Sequence, residues 1–348
     1  MQQQSEDIVI SCPQMPYAFD EALYLTQGMG GSETALFEMA RLLRQKTKRH
    51  VRVFKQGENS VANSGVEYLS TEKTEEYFRQ TIPKVHIAWR HNRKLTNART
   101  FLWCHDLLTA TVEVERNFDV MLCLSDFHKT YVHRNQFVPS RKIVVSRNGI
   151  DPAKFAFERS RKNENKIVWM SSPDRGLRSA LLVMDVITRS RPTAELHIYY
   201  GFHLLRLYGM EGEADELEEM LKQRPYVRLH GFTEQSKMYK EVADAVIWLY
   251  PCNYLETFCI TTLEMQALGI FPVTRRHGAL AETLREAEQK GNAILLDYPR
   301  IAESDIQAYA AAVFKVLDGR MWENVSLDLE RNSWSAIADE WIRFMNLA

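Results

Sequence analysis

The feature that most constrains this chain is a periodicity that runs twice. Short apolar runs alternate with stretches of helical spacing, and the series restarts near residue 166. The first series contains DIVI (7–10), VRVF (51–54), VHIAW (85–89), FLWC (101–104), VMLCL (120–124) and KIVVS (142–146). Between them, residues 33–45 place Leu36, Met39, Ala40 and Leu43 on one helical face, and 127–134 reads as a shorter helix. The second series contains KIVWM (166–170), ELHIYY (195–200), YVRLH (226–230), DAVIWLY (244–250), IFPV (270–273) and AILL (293–296), with helices expected at 177–189, 261–268 and 279–290. Strand runs that are apolar throughout belong to sheets covered on both faces, and strand–helix alternation makes those sheets parallel. The expected fold class is α/β, with two doubly wound, Rossmann-like domains.

A chain of 348 residues has room for two such cores. The periodicity lapses over the charged segment 151–165, which reads as a linker. The expected domains are 1–155 and 156–327, with 328–348 as a closing helix. That helix carries Trp334, Ile337, Trp341 and Phe344 at gaps of three, four and three, an amphipathic face seeking an apolar surface. The dense charge of 211–224 reads as a solvated helix face. A formal net charge of −1 disfavours a nucleic-acid partner, because neutralising many phosphates takes a more basic chain. The five cysteines are odd in number and form no CxxC pair, so buried free thiols in a reducing compartment are expected, with no metal site. No run is long and apolar enough to span a bilayer, and MQQQSEDIVIS does not read as a signal peptide, so the expected location is cytoplasmic.

Ligands of doubly wound sheets bind beyond the carboxyl ends of the strands. Four motifs fall there. Gly30-Gly31-Ser32-Glu33, preceded by Gly28, joins the first strand to the first helix, where a tight turn and free N–H groups suit a phosphate or a sugar oxygen, with Ser32 as N-cap. A plain capped turn explains the same residues equally well. His105-Asp106 ends the strand FLWC, where an imidazole would contact a reacting group and its neighbour bias its charge. A packed or capping histidine is the commoner use. Ser171-Ser172-Pro173-Asp174-Arg175-Gly176 offers a guanidinium and two hydroxyls for a phosphate; the bland alternative is a surface Arg175–Asp174 pair. The fourth motif is the most informative. Glu256 lies in the loop after DAVIWLY, and Glu264 lies inside the next helix among Leu263, Met265, Ala267 and Leu268, where a charge needs a partner. The N–H groups of Thr257, Phe258 and Cys259 between them would receive a diphosphate. The GxGxxG and Walker A patterns are missing.

In order along the chain, these residues resemble the retaining glycosyltransferases of the GT-B fold, family GT4. GGSE is similar to the family's glycine loop. Asn148-Gly149-Ile150-Asp151 is similar to its NGxD segment, SSPDRGL to its phosphate loop, and the run ending in Glu256 and Glu264 to its E-x7-E motif. Gly278 to Glu282 is similar to its GGxxE element, and Ser333-Trp334 to its closing helix, which crosses back to the first domain. The resemblance implies a donor domain and an acceptor domain facing a cleft. It implies that Glu256 contacts the donor sugar, Glu264 the ribose, and Arg175 the departing diphosphate with Ser171, Ser172 and the amides of Thr257, Phe258 and Cys259. His105 would contact the sugar at the reacting centre, Gly31 the donor, and Gly231, Phe232 and Thr233 the base. The family's usual Arg falls at Met170 or Ser171, so one cation is lacking and hydroxyls or another basic residue must stand in.

The implied reaction is a metal-independent hexosyl transfer in polysaccharide biosynthesis, from a nucleoside-diphosphate sugar to a glycan or lipid-linked acceptor. No Asp-x-Asp metal motif falls at a strand end, and no cofactor beyond the donor is expected. Two alternatives share the architecture: a nucleotide-sugar 2-epimerase, and a catalytically silent nucleotide-sugar binding protein. The basic segments Arg44–Arg49 and Arg90–Lys94 would attract an anionic, membrane-held acceptor, although solvated surface is the commoner use of such runs.

Overall fold

The structure is a computed structural model that describes residues 2–13, 15, 20–26, 29–111, 113–297 and 303–347. Gly28 of the glycine loop lies outside the described residues. The chain divides into two compact units, Met1–Gly149 with Glu330–Ala348, and Ile150–Leu329. These divisions fall a few residues from the boundaries read in the sequence.

In the first unit, β1 (Gln3–Gln4) pairs with β6 (Thr81–Ile82). The main strands are β2 (Ile8–Cys12), β3 (Val51–Lys55), β4 (Ser60–Val61), β5 (Glu67–Ser70), β7 (Val85–Trp89), β8 (Arg99–Trp103), β9 (Val120–Cys123) and β10 (Ile143–Val145). Their order is β10-β9-β8-β7-β2-β3-β5-β4, parallel apart from the β4–β5 pairing. Ile10 of β2 stands opposite Val53 on one side and Ile87 on the other. All three are buried, as the unbroken apolar runs require.

The final helix, Trp334–Met345, belongs to this unit and packs on the helix Gly31–Thr47. Trp341 meets Trp103 edge to face at 4.7 Å, and its Nε1 donates to Ser146 Oγ at 2.6 Å. Gly149 is what allows this approach. A Cβ there would come within 2.6 Å of Trp334 N and 2.9 Å of Ile337 Cδ1.

The second unit contains β11 (Lys166–Trp169), β12 (Glu195–Ile198), β13 (Val227–Leu229), β14 (Ile247–Tyr250), β15 (Phe271–Arg275) and β16 (Ile294–Leu296). All pair in parallel in the order β13-β12-β11-β14-β15-β16. The order reverses direction between β11 and β14, which makes the carboxyl edge of these two strands a topological switch point.

Two expectations need correction, and one segment gains detail. The single helix expected at 279–290 is two, Leu280–Thr283 and Arg285–Gln289, because Leu284 turns into a core cluster with Ala287, Ala293 and Leu295. The run ELHIYY stops being strand at Ile198, because Tyr199 and Tyr200 leave the sheet to stack on His230 at 4.2 Å and pack on Phe232 at 4.7 Å. The charged segment 151–165, read as a linker, makes side-chain contacts of its own. Arg159 donates to Ala267 O at 2.6 Å and Lys162 to Leu268 O at 3.0 Å, placing cations on the carboxyl end of the helix Thr261–Ala267.

Candidate active site

The two loops at the second unit's switch point interlock through backbone. After β11 the chain makes a tight turn, Pro173–Arg175, and Gly176 follows at φ +119°. A Cβ on Gly176 would meet Pro251 O at 2.3 Å, and Asn253 N donates to Arg175 O at 3.2 Å. The loop after β14 is pinned from its other side as well. Gly278 (φ +58°) lies against the Glu256 backbone, and Ala279 N donates to Glu256 O at 2.8 Å.

This interlock brings Arg175 and Glu256 together. Arg175 Nη1 lies 3.0 Å from Glu256 Oε1, with the Arg175 side chain 33% exposed and the Glu256 side chain 7% exposed. The surface Arg175–Asp174 pair is therefore not the arrangement found. Tyr250 donates its hydroxyl to the same Oε1 at 2.6 Å and accepts from Ser171 Oγ at 3.2 Å. Burial, followed by the Glu256 charge, pushes the Tyr250 phenol well above its usual range, so it remains a donor. The guanidinium stacks over the Tyr254 ring at 4.2 Å. Burial works against its charge, but Glu256 and the surrounding tyrosines outweigh it. Arg175 Nε and Asp174 Oδ1 are buried without a hydrogen-bond partner among the described residues. Such atoms are rare in folded proteins outside functional sites.

Met170 is buried and apolar, so no cation stands at that position. A nearby cation is Arg275 at the end of β15, whose Nη1 lies 3.4 Å from Cys252 O beneath the Glu256 loop. Thr257 and Phe258 are buried, and Cys259 takes a left-handed φ of 69° just before the helix Thr261–Ala267.

Glu264 has its own set of partners. It is buried and accepts from Tyr239 OH at 2.5 Å and Gln235 Nε2 at 3.2 Å, while Lys154 Nζ donates to Gln235 at 2.6 Å. Burial raises its pKa, and the Tyr239 bond and the Lys154 charge oppose the rise. Gly231 (φ +70°) has open space where a Cβ would stand. Beside it, Phe232 packs against Tyr200 and His203, each at 4.7 Å.

In the first unit, His105 is buried and packs on Trp103 at 4.7 Å. Burial, Arg90 and His128 hold its pKa well below the usual imidazole range, and the opposing pull of Asp106 is the smallest of these effects. Asp106 does bias the charge of His105 upward, but burial, Arg90 and His128 outweigh it. The Asp106 carboxylate is occupied with Leu108 N at 2.9 Å, Thr109 N at 2.7 Å and Arg90 Nε at 3.1 Å. Ser32 is not the N-cap. The helix Gly31–Thr47 starts earlier, with Gly30 as cap, and Glu33 Oε2 lies where a Gly30 Cβ would stand. Arg90 links Glu33, at 3.9 Å, to Asp106. Sequence reasoning missed Arg90, Tyr239, Tyr250 and Tyr254. Tyr250 had one signal: it follows Trp248 by two and so shares its face of β14, where the rings stack at 4.9 Å.

Residues 154–336 match the family described as Glycosyl transferases group 1. The chain belongs to this family, and it is a glycosyltransferase. No curated protein matches it significantly over its sequence. Its fold is shared with a glycosyltransferase from Rickettsia africae ESF-5, at 14% identity and a TM-score of 0.72 over 98% of both chains. It is also shared with sucrose-phosphate synthase from Thermosynechococcus elongatus, at 14% identity and a TM-score of 0.71 over 98% of both chains. Anabaena Alr3699/HepE, solved with UDP-glucose, is 12% identical with a TM-score of 0.69 over 98% of this chain and 100% of that one. The architecture is the two-domain, Rossmann-like GT-B fold.

Proposed function

We propose that this glycosyltransferase moves a hexosyl group from a nucleoside-diphosphate sugar to a hydroxyl of a glycan, lipid-linked or other acceptor, with retention at the anomeric carbon and without a metal, as a GT4 enzyme. The observation that carries the reading is the Arg175–Glu256 pair at the switch point, with buried polar atoms still unpartnered on Arg175 and Asp174. A carboxylate and a guanidinium side by side match the two halves of such a donor, since the first accepts from sugar hydroxyls and the second binds phosphate oxygens.

The mechanism follows from these groups. As the C1–O bond breaks, negative charge grows on the leaving phosphate, where Arg175 stabilises it, assisted by Ser171, Ser172 and the amides of Thr257, Phe258 and Cys259. Tyr250 keeps Glu256 Oε1 fixed, so the carboxylate need not reorganise during the reaction. Glu264 receives ribose hydroxyls, and the open position at Gly231 beside Phe232 admits the base. His105, held neutral, offers a hydrogen bond to the sugar without repelling an oxocarbenium-like centre. Glu33 folded over Gly30 makes the Gly31 turn better suited to a sugar hydroxyl than to a phosphate. The departing diphosphate oxygen takes the acceptor proton on the same face, which preserves the anomeric configuration.

The similar Anabaena protein, solved with UDP-glucose, makes UDP-sugars the first donors to test. The expected result is release of nucleoside diphosphate from one of a panel of UDP-, GDP- and ADP-sugars in the presence of acceptor, undiminished by excess EDTA. Glu256→Ala and Arg175→Ala should each lose most of the turnover. Wild-type rates in both variants would sink the site assignment, and strict dependence on added Mn²⁺ would sink metal independence.

A further inference from the structure

Of the basic run Arg90–Lys94, Arg93 pairs with Glu75, while Arg90 turns toward the candidate residues of the first unit. Its backbone is unusual. Among the described residues, Lys48, Phe137, Arg320 and Asn346 also take a left-handed φ, but each lies just past the end of a helix, where that form is ordinary. Cys259 belongs to the Glu256 loop. Arg90, at φ 58°, instead follows directly on β7, at the carboxyl edge of the first unit's sheet. Disfavoured backbone away from a helix end gathers at functional sites.

The bend is set by a backbone contact. Arg90 N donates to Trp103 O at 3.0 Å, so the chain leaves β7 against the last residue of β8. The guanidinium lies over the Trp89 ring at 5.2 Å, with Nε 3.1 Å from Asp106 Oδ2 and Nη1 3.9 Å from Glu33 Oε1. One cation thus ties the glycine turn, through Glu33, to the loop that carries His105. The imidazole packs against the same Trp89 at 5.8 Å and against Trp103 at 4.7 Å.

Among the described residues, the charged or titratable groups that act on His105 are Arg90, His128 and Asp106, and Glu33 reaches them through Arg90. Asp106 is an anion: burial resists its charge, but bonds from Thr109 and Leu108 and the Arg90 cation hold its pKa below the usual carboxylate range. His128, whose Nε2 lies 3.1 Å from Asp106 O, is kept neutral by burial. Arg90 is therefore the standing positive charge of the group. An imidazole beside an uncompensated carboxylate takes up a proton more readily.

We propose that Arg90 is a positioning residue for glycosyl transfer: it locks the glycine turn and the His105 loop in one frame and compensates the Asp106 charge, so that His105 meets the sugar as a neutral imidazole. The role in transfer rests on the function proposed above, whereas the state of the ring is read without any substrate.

The test is imidazole ¹⁵N NMR of the full chain between pH 8 and pH 5, with His105→Gln to assign the ring. The wild-type ring should stay neutral throughout. In Arg90→Gln it should begin to protonate within that range, and Arg90→Lys should keep it in the wild-type state. Adding Asp106→Asn to Arg90→Gln should return it to neutral, a reversal that a merely loosened loop would not show. Arg90→Asn, which tolerates the left-handed backbone, repeats the measurement should Arg90→Gln not fold. Turnover of whichever UDP-, GDP- or ADP-sugar the wild type accepts should follow the ring, falling about tenfold per pH unit below its pKa in Arg90→Gln. The proposal is overturned by a wild-type ring already charged at pH 7, by an Arg90→Gln ring that titrates as wild type, by failure of Asp106→Asn to return it, or by a turnover profile that stays put while the ring moves. Transfer from none of the sugars, with the ring behaving as expected, would overturn the function proposed above and leave the control of His105 by Arg90 standing.

Discussion

Tyr250 hands one hydrogen to one carboxylate oxygen, and much of the site's order rests on that contact. Tyr250→Phe keeps the ring between Trp169 and Trp248 and removes the donor to Glu256, together with the longer bond accepted from Ser171 Oγ. Hydrogen bonds to charged groups contribute roughly 1.5–3 kcal/mol, so a loss of about 2 kcal/mol in unfolding free energy is expected. Arg175→Ala leaves Glu256 buried without its cation. Breaking a buried pair from one side costs roughly 3–5 kcal/mol. Because Arg175 is 33% exposed, solvent already screens part of that interaction, and about 2 kcal/mol is the better expectation. Urea titration of both variants checks this, and wild-type midpoints in both would mean that the carboxylate is not held in this way. Arg175 and Glu256 were legible in the sequence because each follows an apolar strand in a loop. Tyr250 was not, because a tyrosine inside such a strand reads as core until the loop chemistry beside it is known.

At the scale of elements, the switch point depends on backbone approaching backbone. Gly176→Ala must place a Cβ at 2.3 Å from Pro251 O at φ +119°, a contact that cannot be relieved by moving a side chain. Gly209 supplies the control, since it has φ +76° with nothing within 4 Å. Gly209→Ala should cost about 1 kcal/mol, the left-handed backbone alone, and Gly176→Ala more than about 3 kcal/mol, strain and clash combined. Thermal melts of the two variants check the difference; equal losses would remove the interlock from the account. Most strands were legible because a strand buried on both faces leaves an unbroken apolar run, as VHIAW does over the full length of β7. The helix Glu303–Gly319 was not named. Its run of Ala310, Ala311, Ala312 and Val313 blurs the polar face, and only packing on the helix Leu177–Ser190 shows what it covers. The short β4 and β5 lack such runs, since they lie at the sheet's exposed end.

Across the whole molecule, the first unit should lose stability in acid ahead of the second. The first holds a buried relay in which Ser11 Oγ lies 2.7 Å from both His86 Nε2 and His91 Nε2. Arg93 N donates to His91 Nδ1, so His91 gives its Nε2 hydrogen to Ser11, and Ser11 gives its own to His86. Protonating either ring sets donor against donor. Burial lowers His86 to about 3, and His91 and His128 each to about 4. An unfolded histidine titrates near 6.5, so below that pH the unfolded chain binds more protons and stability falls as pH falls, until the folded-state values are reached. At pH 5 each ring accounts for about 2 kcal/mol, and all three lie in the first unit. In the second unit burial lowers His197, His230 and His277 as well, but these rings are less buried than His86, His91 and His128, so their share is smaller. There Glu264, raised by burial, works the other way: its folded form keeps a proton that the unfolded form releases, so acid stabilises that contact. Hydrogen exchange at pH 7 and pH 5, corrected for intrinsic rates, should therefore show amides of β2, β7 and β8 losing protection ahead of those of β11, β14 and β15. Simultaneous loss in both units, or earlier loss in the second, would show that the relay does not set the acid limit.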